Sequence, residues 1–349
     1  MNVQRSKEKR ITIHDIAREI GIAPSSVSKA LNNLPTISDR IKVLVRAKAK
    51  ELNYVHNSGA ANLRKGTSQL VGVVVPRINA AFFSDVIAGI EEKCFEYNHR
   101  LIICQSDETF VREVQAVETL IQQNVDCILI SLSKETKTNL HLKEIVDRNI
   151  ELIQFDRVDE SFKSHIIVND NEKVALKAVK HLLSQGYKQI AYFGGAEHIP
   201  AYKERKKGYL AALKSAGINI PYQHVVDDVS QKERAYITAI ELLKGNNPPD
   251  AFFTVSDHAA LGILSAIKEL GLKTPEDVGI VGFANETFTE ATCPTLTSID
   301  QQSRKMGLMA SDIFFKKFRE KEKQPSLRKQ ETLVIKSTVV IRASSSRKK

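Results

Sequence analysis

At 349 residues the chain is long enough for more than one domain, and 42% hydrophobic with 26% charged residues excludes both a disordered and a membrane-embedded protein. Its net charge of +10 is unevenly placed: residues 1–66 hold 13 Lys/Arg against 5 Asp/Glu, a net of +8, while the remainder holds 38 against 36, a net of +2. A basic head on a near-neutral body is the electrostatic footprint of a nucleic-acid binder.

The opening MNVQRSKEKR is polar with no apolar core behind it, so no secretory leader is expected and the cytoplasm is the expected location. From residue 11 the pattern becomes helical. Thr12 is placed to cap a first helix with Asp15 as its capping-box partner, and Ile13, Ile16, Ala17 and Ile20 share one face. Gly21 supplies the left-handed turn, and Pro24 suits a first helical position because its missing N–H costs nothing there. In the second helix Val27, Ala30 and Leu31 face inward. Ser25, Ser26, Ser28, Lys29 and Asn32 are left outward, where hydroxyls, an amide and a cation reach phosphates and base edges in a major groove. Ser38 is placed to cap a third helix carrying Ile41, Leu44, Val45 and Leu52.

The following NSGAANLRKG (57–66) is small and polar apart from Leu63, with Arg64 and Lys65 beside it. It is too short to hold a helix alone in water. Paired with a twin against DNA it would fold, and Leu63 next to two cations suits a minor-groove wedge.

Beyond Lys65 the period changes. Continuous apolar runs at 70–76, 100–106, 126–131 and 151–156 read as strands buried on both faces, alternating with helices over 83–97, 111–124 and 140–148. A second series of strands starts at 165–170 and continues at 189–195, 224–228, 251–256 and 278–284, with helices at 173–185, 203–216, 232–244 and 258–270. Late pieces at 295–300, 306–319 and 331–343 cross back to finish both series. Strand–helix alternation in two runs predicts two α/β lobes with parallel sheets, and a cleft between them where strand ends collect ligands. The boundaries expected are 1–56 for a helical headpiece, 57–66 for a hinge and 67–343 for the two-lobed domain. Within it, an N-lobe takes 67–160 plus 300–328 and a C-lobe 161–297 plus 331–343, and 344–349 is a basic tail.

Several chemistries are not supported. Cys94, Cys104, Cys127 and Cys293 lack metal or redox spacing, and three of them read as buried thiols. No G-x-G-x-x-G, Walker or G-x-S-x-G pattern occurs, His181 on an apolar face reads as a core residue, and neither metal nor cofactor is expected. No run of some 18 apolar residues spans a membrane.

Residues 11–66, with TIHDIA, VSKALNN, LNY and then Asn57, Ala60 and Leu63 at N-x-x-A-x-x-L spacing, resemble the headpiece of the LacI/GalR family of bacterial transcription regulators. RKKGY (205–209), SDHAALG (256–262) and VGFANE (281–286) extend that resemblance over essentially the whole chain. It implies an all-α helix-turn-helix headpiece plus an α/β, two-lobed, periplasmic-binding-protein-like (type I) sensor. It also implies a homodimer on a pseudo-palindromic double-stranded operator, whose grip is switched by a small-molecule effector such as a sugar or a sugar acid or phosphate. Ser25, Ser26 and Lys29 are expected to read bases; Thr12, Asn32, Tyr54 and Asn57 to position the DNA backbone; Leu63 to enter the minor groove.

For the effector, family positions match Phe82 and Phe83, with core packing as the alternative for either, and Ser256. The resemblance places Arg205 at the clamping arginine, with a surface ion pair to Glu204 as the alternative. Asp156 at a strand end and Gln301 in the returning crossover complete the set, and Asp257 reads as the cap of the helix from His258. Four departures stand out. Gly282-Phe283-Ala284 replaces a usual aspartate-bearing GYD stretch, which favours an acidic effector; Ala23 replaces a capping Ser or Thr; Lys29 replaces a common arginine; and His56 stands where many members have proline before the hinge segment. A transport solute-binding protein and an α/β sugar-modifying enzyme remain the rival readings.

Overall fold

The computed structural model describes residues 11–54, 66–219, 221–321 and 330–347. The chain forms two compact units, Met1–Ser68 and Gln69–Lys349.

In the first unit α1 (Ile13–Ile20), α2 (Pro24–Leu31) and α3 (Asp39–Glu51) enclose a small core of Ile16, Ala17, Val27, Ala30, Val45 and Ala49. The local signals act as expected. The Asp15 carboxylate accepts from both the backbone N–H and the hydroxyl of Thr12, at 2.9 and 2.7 Å. Gly21 ends α1 at φ 66°, a left-handed conformation that only glycine takes without strain, and Pro24 opens α2. Two details differ. Ser38 sits at the N-cap of α3 without its side chain accepting a bond. Leu44 points outward, its inward place taken by Ala49, because positions 41, 45, 49 and 52 follow the helical repeat and 44 does not.

In the second unit the N-lobe sheet runs in the order β11-β5-β4-β3-β1-β2, all parallel. Its strands are β1 (Leu70–Val75), β2 (Arg100–Gln105), β3 (Cys127–Ile130), β4 (Glu151–Phe155), β5 (His165–Asn169) and β11 (Thr332–Ile335). Val71, Val73 and Val75 of β1 pack toward α4 (Ala81–Glu96) and α11 (Ser303–Lys321). Val74 faces α5 (Phe110–Gln122) and α6 (Leu140–Asp147). Alternating burial on both faces explains why the strand is apolar throughout.

The C-lobe sheet, β7-β6-β8-β9, is also parallel. It consists of β6 (Ile190–Phe193), β7 (Val225–Val226), β8 (Ala251–Thr254) and β9 (Gly279–Val281), with α7 (Asn171–Ser184) and α8 (Pro200–Ser215) on one face and α9 (Lys232–Leu243) and α10 (Asp257–Glu269) on the other. β10 (Ser298–Asp300) and β12 (Thr338–Val340) form an antiparallel pair beside it.

Two expected boundaries are corrected. β5 and β11 belong to the N-lobe, since Ile153 to Phe155 pair with His165 to Ile167, and Thr332 to Ile335 with Ile166 to Asn169. A bare loop joins β4 to β5, so the strand that opens the second series still completes the first sheet. Residues 344–347 are no free tail. The Ser344 hydroxyl donates to the Ile280 carbonyl at 2.7 Å, the Ser345 hydroxyl meets His181 Nε2 at 2.8 Å, and Arg347 lies 3.8 Å over the Tyr187 ring. His181 is thus half-buried and hydrogen-bonded through Nε2, at the edge of the core and not within it. Cys94 and Cys127 are buried, Cys104 partly so and Cys293 exposed, all as free thiols. Among the described residues no helix is long and apolar enough to cross a membrane.

Candidate effector cleft and nucleic-acid interface

On the first unit, Ser25 and Lys29 are exposed and Ser26, Ser28 and Asn32 half-buried along one side of α2. The exposed Lys29 ammonium makes no hydrogen bond or ion pair among the described residues. Asn32 is less free, because its amide donates to the Ser28 carbonyl at 2.8 Å and finishes the helix. Thr12 is exposed with its hydroxyl proton committed to Asp15, and Tyr54 rests against the three-helix core. Ala23 occupies the α2 N-cap without a side-chain bond. Pro24 has no N–H and the Ser26 N–H donates to the Ala23 carbonyl at 2.9 Å, which leaves the Ser25 N–H for an acceptor outside the helix. Asn57, Ala60, Leu63 and Arg64 lie outside the described residues.

On the second unit, three segments cross between the lobes, after β5, after β10 and after β11. Buried amides lace them together: Asn169 Nδ2 donates to the Gln301 carbonyl at 2.9 Å and to the Ser337 hydroxyl at 3.1 Å, and Gln301 Nε2 donates to Asn169 Oδ1 at 3.3 Å. Above this hinge the carboxyl ends of both sheets face one cavity of about 130 Å³. Phe82, Phe83, Asp156, Arg205, Ser256 and Gln301, singled out one at a time in the sequence, all line it.

Arg205 is 4% exposed and carries no carboxylate within 4.0 Å among the described residues. Its Nε donates to Asn171 Oδ1 at 2.9 Å, an Nη1 hydrogen goes to the Val255 carbonyl at 3.2 Å, and the guanidinium stacks 3.5 Å from the Phe283 ring centroid. It is therefore no surface partner of Glu204, whose carboxylate accepts from Asn171 instead. Burial lowers the Arg205 pKa, yet a guanidinium so basic stays charged. Two planar donors fixed from behind leave the remaining N–H groups as an oriented fork.

Asp156 directly follows β4 in the left-handed region at φ 57° and lines the cavity. Burial raises its pKa against the pull of Arg157 and Arg205. Phe82 and Phe83 meet edge to face, 5.0 Å between centroids, so both the wall and the core reading hold for them.

Ser256 and Asp257 exchange their expected parts. Ser256 is the N-cap of α10, its hydroxyl accepting from the His258 N–H at 3.2 Å. Asp257 begins the helix and is 1% exposed, accepting from the Ser298 hydroxyl at 2.6 Å and the Glu286 N–H at 2.8 Å. Burial pushes its carboxyl up to about 6 against those two bonds. The residue that makes room for it is Gly282, where a Cβ would stand 2.0 Å from Asp257 Oδ1. Ala284 follows at φ 113°, strained backbone for a residue with a side chain.

Glu286, Arg157 and Tyr202 also line the cavity and went unnoticed in the sequence. Burial raises the pKa of the Glu286 carboxyl, and the backbone N–H of Ala81, at the start of α4, acts to lower it, as a helix end that favours a negative partner does. Arg157 holds Glu108 at 2.6 Å. Burial acts to lower its pKa, but Tyr202, Glu108 and Asp156 outweigh this and leave it raised. Only Glu286 had a usable signal, since it closes the VGFANE stretch; an arginine after a strand-end aspartate carries none.

A hinged α/β clamshell whose lobes share a polar cleft, on a chain that also carries a helix-turn-helix unit, defines a ligand-sensing regulator of DNA. The comparisons agree. Residues 68–338 match the family described as periplasmic binding proteins and sugar binding domain of the LacI family, and residues 12–57 match bacterial regulatory proteins of the lacI family. The chain belongs to the LacI family: it is a DNA-binding transcriptional regulator with a ligand-binding sensor domain, and not an enzyme. It is 29% identical over 313 residues to the HTH-type transcriptional repressor PurR of Vibrio atlanticus, covering 89% of this chain and 93% of that one. The transcription regulator CcpA of Lactococcus lactis is similar in structure with TM-score 0.71 and 26% identity, over 79% of this chain and 99% of that one. The lac repressor dimer bound to operator and an anti-inducer shares the fold at TM-score 0.81 and 21% identity, over 97% of this chain and 100% of that one.

Proposed function

We propose that this protein is a repressor that grips a pseudo-palindromic operator as a homodimer and is switched by a neutral, polyhydroxylated effector of the sugar class held between the lobes. Ser25, Ser26 and Lys29 read base edges, and Thr12, Asn32, Tyr54 and Asn57 set the register on the phosphates. Ala60, Leu63 and Arg64 order against the partner's hinge and kink the duplex. Ser28 lies beside the reading face.

The observation that carries the effector class is the charge of the cavity. Arg205 offers an oriented fork, while Asp156, Asp257 and Glu286 put three carboxyls on the same walls and Arg157 is already paired with Glu108. The missing aspartate at 282–284 pointed to an acidic ligand, but Asp257 and Glu286 supply the negative charge from other positions. A further anion would meet like charge, whereas hydroxyls donate to carboxylates and accept from a guanidinium at once. The family description as a sugar binding domain supports the same reading.

The test is selection of retained duplexes from a random DNA pool with the full chain, followed by titration of neutral and acidic sugars against the selected site in fluorescence anisotropy. A palindromic site whose affinity shifts at least tenfold with a neutral sugar is expected. A response confined to sugar acids or phosphates would overturn the effector class, and no selected site would overturn the DNA role.

A further inference from the structure

A second and larger space lies between the same lobes. It measures about 600 Å³ and is walled by the loops after β3 and β4 on one side and by the loop leading to α8 on the other. Its rim is bridged where His198 Nε2 meets the Lys134 carbonyl across the cleft. Arg157 lines both this space and the inner cavity of about 130 Å³. Its guanidinium stands 5.9 Å from the Phe83 ring of the N-lobe and 5.9 Å from the Tyr202 ring of the C-lobe. Arg157, ion-paired with Glu108 at 2.6 Å and set between these two rings, thus stands in both walls.

The volumes set what fits. A cavity of roughly 150 Å³ takes benzene, about six heavy atoms, and a hexose has about twice that number. The inner cavity therefore holds part of one ring with the cleft as it stands, while the outer space lies within the usual size of a ligand site. The outer walls are also prepared for hydroxyls. Ser133, Thr136, Asn139 and Asp159 are held by one another and by Glu113, at 2.7–3.0 Å. Lys137, Thr138 and Glu160 make no hydrogen bond or ion pair among the described residues and stand at the same chamber.

We propose that the two spaces are compartments of one effector site, with Arg157 as the partition, and that the effector is longer than one sugar ring. One end sits against Arg205 and Asp156, and the remainder passes Arg157 into the outer compartment. This rests on the sugar-class reading above and adds a size to it.

The experiment is isothermal titration of the full chain with the common hexoses, pentoses and uronates and with their disaccharides. The tightest binder is expected to be a disaccharide, at least tenfold tighter than either of its single rings. Thr138→Trp, which fills the outer compartment from an exposed position, should cancel most of that tenfold advantage, and Lys137→Ala should weaken the disaccharide more than the single ring. A single ring as tightest binder, or a disaccharide unaffected by both substitutions, would overturn the two-compartment site. An acidic disaccharide as tightest binder would overturn only the neutral class proposed above, and a panel with no binder at all would overturn both.

Discussion

Asp257 offers the most direct test of how the cleft is built. Its carboxyl goes from an ordinary value of 3.8 to about 6 on burial, which corresponds to roughly 3 kcal/mol in favour of the neutral form. The sign follows from proton binding. In the unfolded chain Asp257 ionises near pH 4, while in the folded chain it keeps its proton to about pH 6, so between those limits the folded state binds more protons. Stability contributed by this residue therefore falls as pH rises through that window, and the full cost is present above it. Asp257→Asn removes the cost and keeps an acceptor for the Glu286 N–H. The Ser298 hydroxyl loses its carboxylate acceptor, which returns about 1 kcal/mol. A net stabilisation of about 2 kcal/mol near pH 7.5 is expected, turning into a slight destabilisation near pH 4. The chain has no tryptophan, so urea unfolding of the sensor unit is best followed by far-UV circular dichroism at several pH values. A difference between the two proteins that stays constant with pH would refute the burial argument.

The remaining expectations are briefer. Arg205→Ala should weaken effector binding by about a hundredfold in isothermal titration, the loss of several hydrogen bonds to a charged group, and leave operator affinity without effector unchanged in anisotropy. Gly282→Ala drives a Cβ against Asp257 Oδ1 and should destabilise the sensor by about 3 kcal/mol in urea titrations, as overpacking at a fixed carboxyl does. Lys29→Ala should change base preference across operator variants as well as affinity; a uniform loss, with the salt slope reduced by about one, would make Lys29 a phosphate contact.

Much of this architecture was legible in the residues. Capping by Thr12 and Asp15, the turn at Gly21 and the start at Pro24 are local effects, so nothing distant overrides them. The unbroken apolar run of β1 could only be a strand covered on both faces. Strand membership was a different matter. β5 has the same apolar character in either sheet, and only its pairing with β4 decides its lobe. The serines at 344 and 345 read as part of a basic tail, since their burial depends on the Ile280 carbonyl and His181, far away in sequence. The site shows the same division. Six residues converged on one cavity because Phe82, Phe83, Arg205 and Ser256 stand at positions the family resemblance marks, with Asp156 at a strand end and Gln301 in the crossover, whereas the Gly282–Asp257 exchange was hidden. A glycine gives no sign of the carboxylate it admits, and an aspartate opening a helix is usually its cap.

The distribution of these groups over the lobes says how binding becomes a signal. Asp156, Phe82 and Phe83 belong to the N-lobe, and Arg205 and Asp257 to the C-lobe. A ligand touching only one lobe has the same free energy open or closed and shifts nothing, however tightly it binds. A polyol that donates to Asp156 and accepts from Arg205 gains both bonds only on closure, so its affinity for the two states differs by the worth of the second set. One bond already crosses the cleft without a ligand, between His198 Nε2 and the Lys134 carbonyl. Closure therefore does not depend on the ligand alone. His198 sets how far the equilibrium leans before effector arrives, while Arg205 and Asp156 set how far the effector moves it.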